Sequence, residues 1–370
     1  MSGAIQTEKI GKLGFGFMRL PRIGEEFDYA QINKMVDAFL ESGGTYFDAA
    51  YVYDGAEVAL RESLVKRYPR ESYQIATKLP VGMVNAKRPK EHFPKTSLER
   101  LGTDYIDFYL LHGINSNANK QAEELGLWEY LKELKSKGTI RHIGFSFHGH
   151  PKDLDEILTK HPEVDFTMLQ INYNDWDRPR VRSKRLYEIA REHNKPIVVM
   201  EPLLGGKLAS DESPIVEWLR SKNPDASIAS WALRYVAQLE GVFTTLSGMS
   251  TFEQAEDNIK TFSDLKPLSK DEMKAVKEAV KILRGVPHIE CTSCNYCKDC
   301  PSNINIPALI NLYNDHLIHK TLTNLQGGYN WMTGGRGKAK DCTSCAACEE
   351  ACPQDLEIID IMKKVSELFD

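Results

Sequence analysis

The first 290 residues contain no cysteine. That gap rules out a disulfide framework through the body of the chain. All eight cysteines fall between Cys291 and Cys352, at spacings too tight for disulfides in a cytosolic protein and suited to metal ligation. Long apolar runs are missing too, since none approaches the ~18 residues that a membrane-spanning helix needs. The opening stretch MSGAIQTEKIGKLGFG lacks the apolar core of a signal peptide, so the expected location is the cytoplasm. There is no excess of positive charge: 47 Lys and Arg against 52 Asp and Glu give a net charge of −5, which offers nucleic acid no electrostatic footprint. Nor does a Gly-rich loop join a first strand to a first helix. Gly11-Lys12-Leu13-Gly14-Phe15-Gly16 precedes or lies within a strand and opens no helix, so it fails the context required for dinucleotide binding and argues against a doubly wound sheet. It reads as a β-turn.

What the chain does have is a repeat. Short β-branched or aromatic runs recur at 14–18, 45–48, 73–78, 105–112, 140–146, 166–171, 197–200 and 242–247. Between them lie helix-period segments such as 29–41, 57–68, 122–137, 179–192 and 227–239. Eight strands alternating with helices are the pattern of parallel strands joined by crossovers, and eight such units close a (β/α)₈ TIM barrel. A further helix over 270–283 leads through Arg284-Gly285-Val286-Pro287, which reads as a linker. The expected domains are a barrel over 1–285 and a small, mainly helical domain over 286–370.

Four ionisable groups end or follow three neighbouring strands. Asp48 closes the second, Tyr53 lies on the loop leaving it, Lys78 closes the third and His112 the fourth. Neighbouring strands are ~5 Å apart, and chemistry in such barrels collects at the C-terminal face, so the four can converge. Singly, each has an ordinary structural reading; together at one rim they form a pattern. A phenol titrates near ~10. A neighbouring ammonium lowers that value, and a carboxylate keeps the ammonium charged and in place. Such a trio makes Tyr53 a general acid, with His112 orienting a carbonyl oxygen or relaying the proton.

These residues stand in Phe47-Asp48-Ala49-Ala50-Tyr51-Val52-Tyr53, in Ala76-Thr77-Lys78 and in the run SLERLGTDYIDFYLLH that ends at His112. Here the chain resembles the aldo-keto reductases, over roughly residues 5 to 262. The resemblance implies reversible hydride transfer between a nicotinamide cofactor and a small carbonyl or alcohol, with Asp48, Tyr53, Lys78 and His112 as the catalytic residues. It assigns Ser146 and Gln170 to the carboxamide. Pro202, Leu203, Gly205 and Lys207, after the seventh strand, resemble the pyrophosphate loop, whose glycines let backbone amides approach phosphate. Gly248, Ser250, Gln254 and Asn258, after the eighth, resemble the adenosine-side segment at a helix N-terminus. The chain departs from the family at Phe147, where an Asn is usual, at Met200, where an aromatic usually stacks on nicotinamide, and at Gln254, where a basic residue often meets a 2′-phosphate. NADP(H) is the expected cofactor and NAD(H) the alternative.

Cys291, Cys294, Cys297 and Cys300-Pro301 form one run; Cys342, Cys345, Cys348 and Cys352-Pro353 form another. Three cysteines spaced by three and followed by Cys-Pro is the spacing of a bacterial-type ferredoxin, and two copies imply two [4Fe–4S] clusters. That resemblance implies crossed ligation: Cys291, Cys294 and Cys297 with Cys352, and Cys342, Cys345 and Cys348 with Cys300. Two Cys₄ zinc sites are the alternative. The basic run Gly334-Gly335-Arg336-Gly337-Lys338-Ala339-Lys340 is expected as a solvated loop, or one that meets an acidic redox partner or covers a cluster.

Hydride transfer moves two electrons and each cluster one, so direct exchange needs an intermediary. The clusters are a relay, a brace or a sensor, with a redox partner protein open. Two other functions compete with the reductase: a regulatory or redox-partner subunit with a silent barrel, and a flavin-dependent reductase.

Overall fold

A computed structural model describes residues 5, 10–178, 181–291, 294–320 and 323–370. The chain separates into two compact units, Met1–Leu204 with Ala229–Ser269, and Gly205–Ile228 with Lys270–Asp370.

In the first unit eight parallel strands close a barrel: β1 Leu13–Gly16, β2 Tyr46–Asp48, β3 Gln74–Pro80, β4 Ile106–Ile114, β5 Ile140–Phe147, β6 Phe166–Gln170, β7 Ile197–Met200 and β8 Val242–Gly248. All eight expected strands form, because each is a β-branched or aromatic run that can be buried on both faces. The interior is filled. Tyr46, Phe108, Phe166 and Phe243 form an aromatic layer in which Phe108 lies 5.1 Å from Tyr46, 5.3 Å from Phe166 and 6.0 Å from Phe243 by ring centroid. Gly144 is required there, since any Cβ would overlap the Phe166 ring. Register sets the rim: Asp48 pairs with Ala76, Lys78 with Leu110, and Pro80 with His112, so the ionisable groups climb from strand to strand.

The helices follow the sequence period, with local differences. Tyr29–Glu41 begins where Asp28 accepts from the backbone of Gln31 at 3.0 Å, and it buries Ile32, Met35, Val36 and Phe39 against the barrel. The run expected over 122–137 is two helices, Ser116–Glu124 and Leu127–Ser136, because Gly126 takes a left-handed turn (φ 62°) between them. Gly11 and Lys12 alone precede the first strand; the rest of the expected β-turn is strand β1, paired on both sides. The helix after β6 is Ser183–Glu192, and its expected start at Pro179 lies outside the described residues.

The second unit is helical. Lys270–Gly285 runs through Gly285, so half of the expected linker is helix. Ile306–His319, Thr323–Thr333, Ala347–Glu350 and Ile358–Phe369 follow. Their core includes Leu309, Ile310, Leu312, Met362 and Val365, with Cys291, Cys297, Cys300, Cys342, Cys348 and Cys352 packed against it. Tyr329 stacks on Phe369 at 5.2 Å and donates to Asp370 at 2.7 Å, which ties the chain end down. The basic run is not a free loop: Gly337 pairs with Ile304, and its N–H donates to Asn303 at 3.2 Å. Among the described residues, no helix is long and apolar enough to cross a membrane.

Candidate functional site

Asp48 is the last residue of β2 and Lys78 the fifth of β3, and both are all but fully buried. Lys78 Nζ donates to Asp48 Oδ1 at 2.6 Å and to the Ala49 carbonyl at 2.6 Å. Asp48 Oδ2 has no hydrogen-bond partner although it is buried. Beyond Asp48 the chain turns tightly, with Tyr53 N–H donating to the Ala50 carbonyl at 3.0 Å. Gly55 then opens the next helix at φ 67°, close against Phe27. This turn brings the Tyr53 ring centroid to 4.9 Å from Lys78 Nζ and 5.8 Å from the His112 ring, which meets it edge-on. Tyr51 is engaged elsewhere, at 3.1 Å from His92 Nε2 and beneath the Arg100 guanidinium.

The four candidates therefore converge, and their protonation follows from the surroundings. Burial lowers the Lys78 ammonium, but Asp48 and Tyr53 outweigh it and the net shift is upward, so Lys78 stays charged. Burial also raises the Asp48 carboxyl against the pull of Lys78. The two close donations from one ammonium favour the ionised pair. For Tyr53, burial raises the phenol more than Lys78 lowers it. The expected net lowering is thus not met in the free protein, where desolvation prevails and the phenol stays protonated. His112 is pushed down to about 3 by burial, then by Lys78 and His148, which makes it a neutral imidazole.

A second layer holds this arrangement, and it was not legible from the sequence. Glu57 is buried and accepts from Thr77 Oγ1 at 2.7 Å and from Arg100 Nη1 at 3.2 Å, while Arg100 also donates to the Tyr51 carbonyl at 3.1 Å. One carboxylate thus ties the residue before Lys78 to the turn carrying Tyr53. The available signal was an acid four residues after Tyr53 at the start of an apolar helix face. Glu201, beyond β7 at φ 54°, also acts on Tyr53 and lies 3.9 Å from Arg19 Nη2. Trp176, after β6, packs on Tyr187 and Tyr235. His150 caps the helix Pro151–Lys160 by accepting from the backbone of Lys152.

The nucleotide candidates are variously engaged. Ser146 is buried, and its Oγ accepts from Gly113 N–H at 2.9 Å, which leaves its hydroxyl proton to donate. Gln170 donates to the buried Asp175 at 2.9 Å, a carboxylate that Asn172 also meets at 3.0 Å. Pro202 is buried, Leu203 half-buried and Gly248 exposed. Ser250 donates from its backbone to Gln254 Oε1 at 2.8 Å, so Gln254 folds back over the start of its own helix. Asn258 is buried and donates to Ser247 Oγ at 2.9 Å. Phe147 is buried, and Met200 packs against the barrel core.

In the second unit, Gly205 and Gly206 take φ values of 67° and 94°, a backbone only glycine adopts freely. Lys207 follows. The cysteines line two cavities: Cys291, Cys294, Cys297 and Cys352 border one, and Cys297, Cys300, Cys342, Cys345 and Cys348 border the other. Apart from Cys297, which lines both, these are the two sets implied by crossed ligation. Among the described residues no three His, Cys, Asp or Glu side chains close around a single metal ion. Cysteine sulfurs spread around a cavity fit a polynuclear cluster better than the short bonds of a tetrahedral zinc.

Residues 12–281 match the aldo/keto reductase family, and residues 290–357 match the 4Fe-4S dicluster domain. An aldo-keto reductase of Mycolicibacterium vanbaalenii is 30% identical over 255 residues, covering 69% of this chain and 85% of that one. Among solved structures, the aldo-keto reductase AKR11C1 from Bacillus halodurans in its holo form is 27% identical with a TM-score of 0.59, covering 73% of this chain and 92% of that one. An aldo-keto reductase from Klebsiella pneumoniae in complex with NADPH shares the fold at 19% identity and a TM-score of 0.59, covering 73% of this chain and 90% of that one.

Proposed function

The chain belongs to the aldo/keto reductase family and carries a 4Fe-4S dicluster domain at its C-terminus, and from that premise we propose that it reduces a small carbonyl compound with NADPH, Tyr53 giving the proton. The observation that carries this reading is the convergence of Asp48, Lys78, Tyr53 and His112 at the end of the barrel strands.

When bound, the reduced nicotinamide supplies a hydride to the carbonyl carbon. The π pair of the C=O bond moves to oxygen, which takes the proton from Tyr53 Oη. Lys78, held charged by Asp48, balances the phenolate left behind until solvent reprotonates it. Neutral His112 donates a hydrogen bond to the same oxygen and fixes its direction. Ser146 and Gln170 would hold the carboxamide. Pro202, Leu203, Gly205 and Lys207 would hold the pyrophosphate, and Gly248, Ser250, Gln254 and Asn258 the adenosine side. Gln254 brings no charge to a 2′-phosphate, which favours NADH as the second choice.

The two cysteine sets would hold two [4Fe–4S] clusters, which as one-electron carriers would exchange with a hydride only through an intermediary. We read them as a brace or redox sensor within a domain over 286–370 that follows, in chain order, a barrel domain over 1–285. Reducing conditions in the cytoplasm keep the eight thiols available. Met200 and Phe147 favour one rival, a redox-partner subunit with a silent barrel. The test is an anaerobic optical spectrum with iron and sulfide assays, followed by NADPH and an aromatic aldehyde. NADPH consumption with the cluster spectrum unchanged supports the reductase, and no nucleotide binding with clusters intact supports the rival.

A further inference from the structure

Lys207, the cation assigned to the pyrophosphate, is already held by a carboxylate of the cysteine-bearing unit. Its Nζ lies 2.6 Å from Asp315 Oδ2, with the two side chains 14% and 33% exposed. Asp315 stands on the helix Ile306–His319, which is anchored by buried Leu309, Ile310 and Leu312. Its neighbour Asn314 accepts from Ile289 N–H at 2.8 Å and donates to the Ile289 carbonyl at 2.7 Å, two residues before Cys291. The same helix borders both cysteine cavities, through Pro307 and Ile310 in one and Ile306 in the other. The carboxylate that meets Lys207 is therefore presented from a fixed element, not from a mobile loop.

We propose that Asp315 sets nucleotide affinity by competing with the nucleotide's phosphates for Lys207. The inference rests on the nucleotide reading above. A phosphate approaching Lys207 must displace the carboxylate or share the ammonium with it, and at such range two anions repel strongly. A simple brace acts in the opposite direction, because releasing Lys207 would loosen its turn and weaken binding. The sign of the effect therefore separates the two roles.

The experiment titrates NADPH, followed by its fluorescence, into the full chain purified with its iron. Wild type is compared with Asp315→Asn, Asp315→Ser and Asp315→Glu, with iron content measured for each. Both neutral variants are expected to bind NADPH at least about fivefold more tightly than wild type. Asp315→Glu is expected to keep the wild-type affinity. Unchanged or weaker binding by the iron-loaded neutral variants overturns the proposal while leaving the nucleotide reading intact. Failure of iron-loaded wild type to bind NADPH overturns both.

Discussion

Lys78 Nζ meets Asp48 Oδ1 at 2.6 Å where both side chains are almost wholly shielded from water. A buried pair of this kind is costly to break on one side only, because the surviving charge has lost both solvent and partner.

Asp48→Asn should therefore lower the unfolding free energy by about 3 kcal/mol or more, measured by urea denaturation. It should also lower the Lys78 pKa, since Asp48 is the largest influence raising it. The falling alkaline limb of activity then moves to lower pH. A variant with the wild-type alkaline limb would show that Asp48 does not set the charge on Lys78.

His112 gives a pH dependence of opposite origin. Its folded value is about 3 against an ordinary 6.5. Between those values the unfolded chain binds a proton that the folded chain refuses, so stability rises with pH across the window and falls as acid is added. The slope is up to about 1.4 kcal/mol per pH unit. Urea midpoints at pH 7 and pH 5 should differ less for His112→Asn than for wild type. Equal differences would mean that the imidazole is not held neutral by its surroundings.

The eight strands could be read from the sequence because each is a local run with its own period. Asp48, Tyr53, Lys78 and His112 could be read because each stands at or near a strand end, where position along the chain fixes position in space. Their supports could not. Glu57 reaches Arg100 across 43 residues and Lys207 reaches Asp315 across 108. Nothing local to either partner announces such a meeting. The net direction of the Tyr53 shift escaped for a similar reason, since sequence shows the neighbouring cation but not the depth of burial.

Arg100 holds the Tyr51 carbonyl and Glu57 together, so it acts on Tyr53 through the backbone turn. Arg100→Ala should lower kcat by about 10- to 100-fold and leave the nucleotide Kd near wild type. If kcat is unchanged, the turn does not depend on this tie.

The two cysteine sets can be separated by single substitutions. Cys352→Ser should perturb the cluster held by Cys291, Cys294 and Cys297, and Cys300→Ser the one held by Cys342, Cys345 and Cys348. Paramagnetic resonance of the reduced protein should show a different signal altered in each variant. If Cys300→Ser and Cys297→Ser alter the same signal, ligation is not crossed.

The most direct test of the central claim follows one hydrogen. NADPH deuterated at the transferring position of the nicotinamide is incubated with an aromatic aldehyde and either wild type or Tyr53→Phe. The account predicts deuterium on the alcohol carbon with wild type, and turnover lowered by about 100-fold or more with Tyr53→Phe. Unlabelled alcohol, or equal turnover by the two proteins, would contradict it.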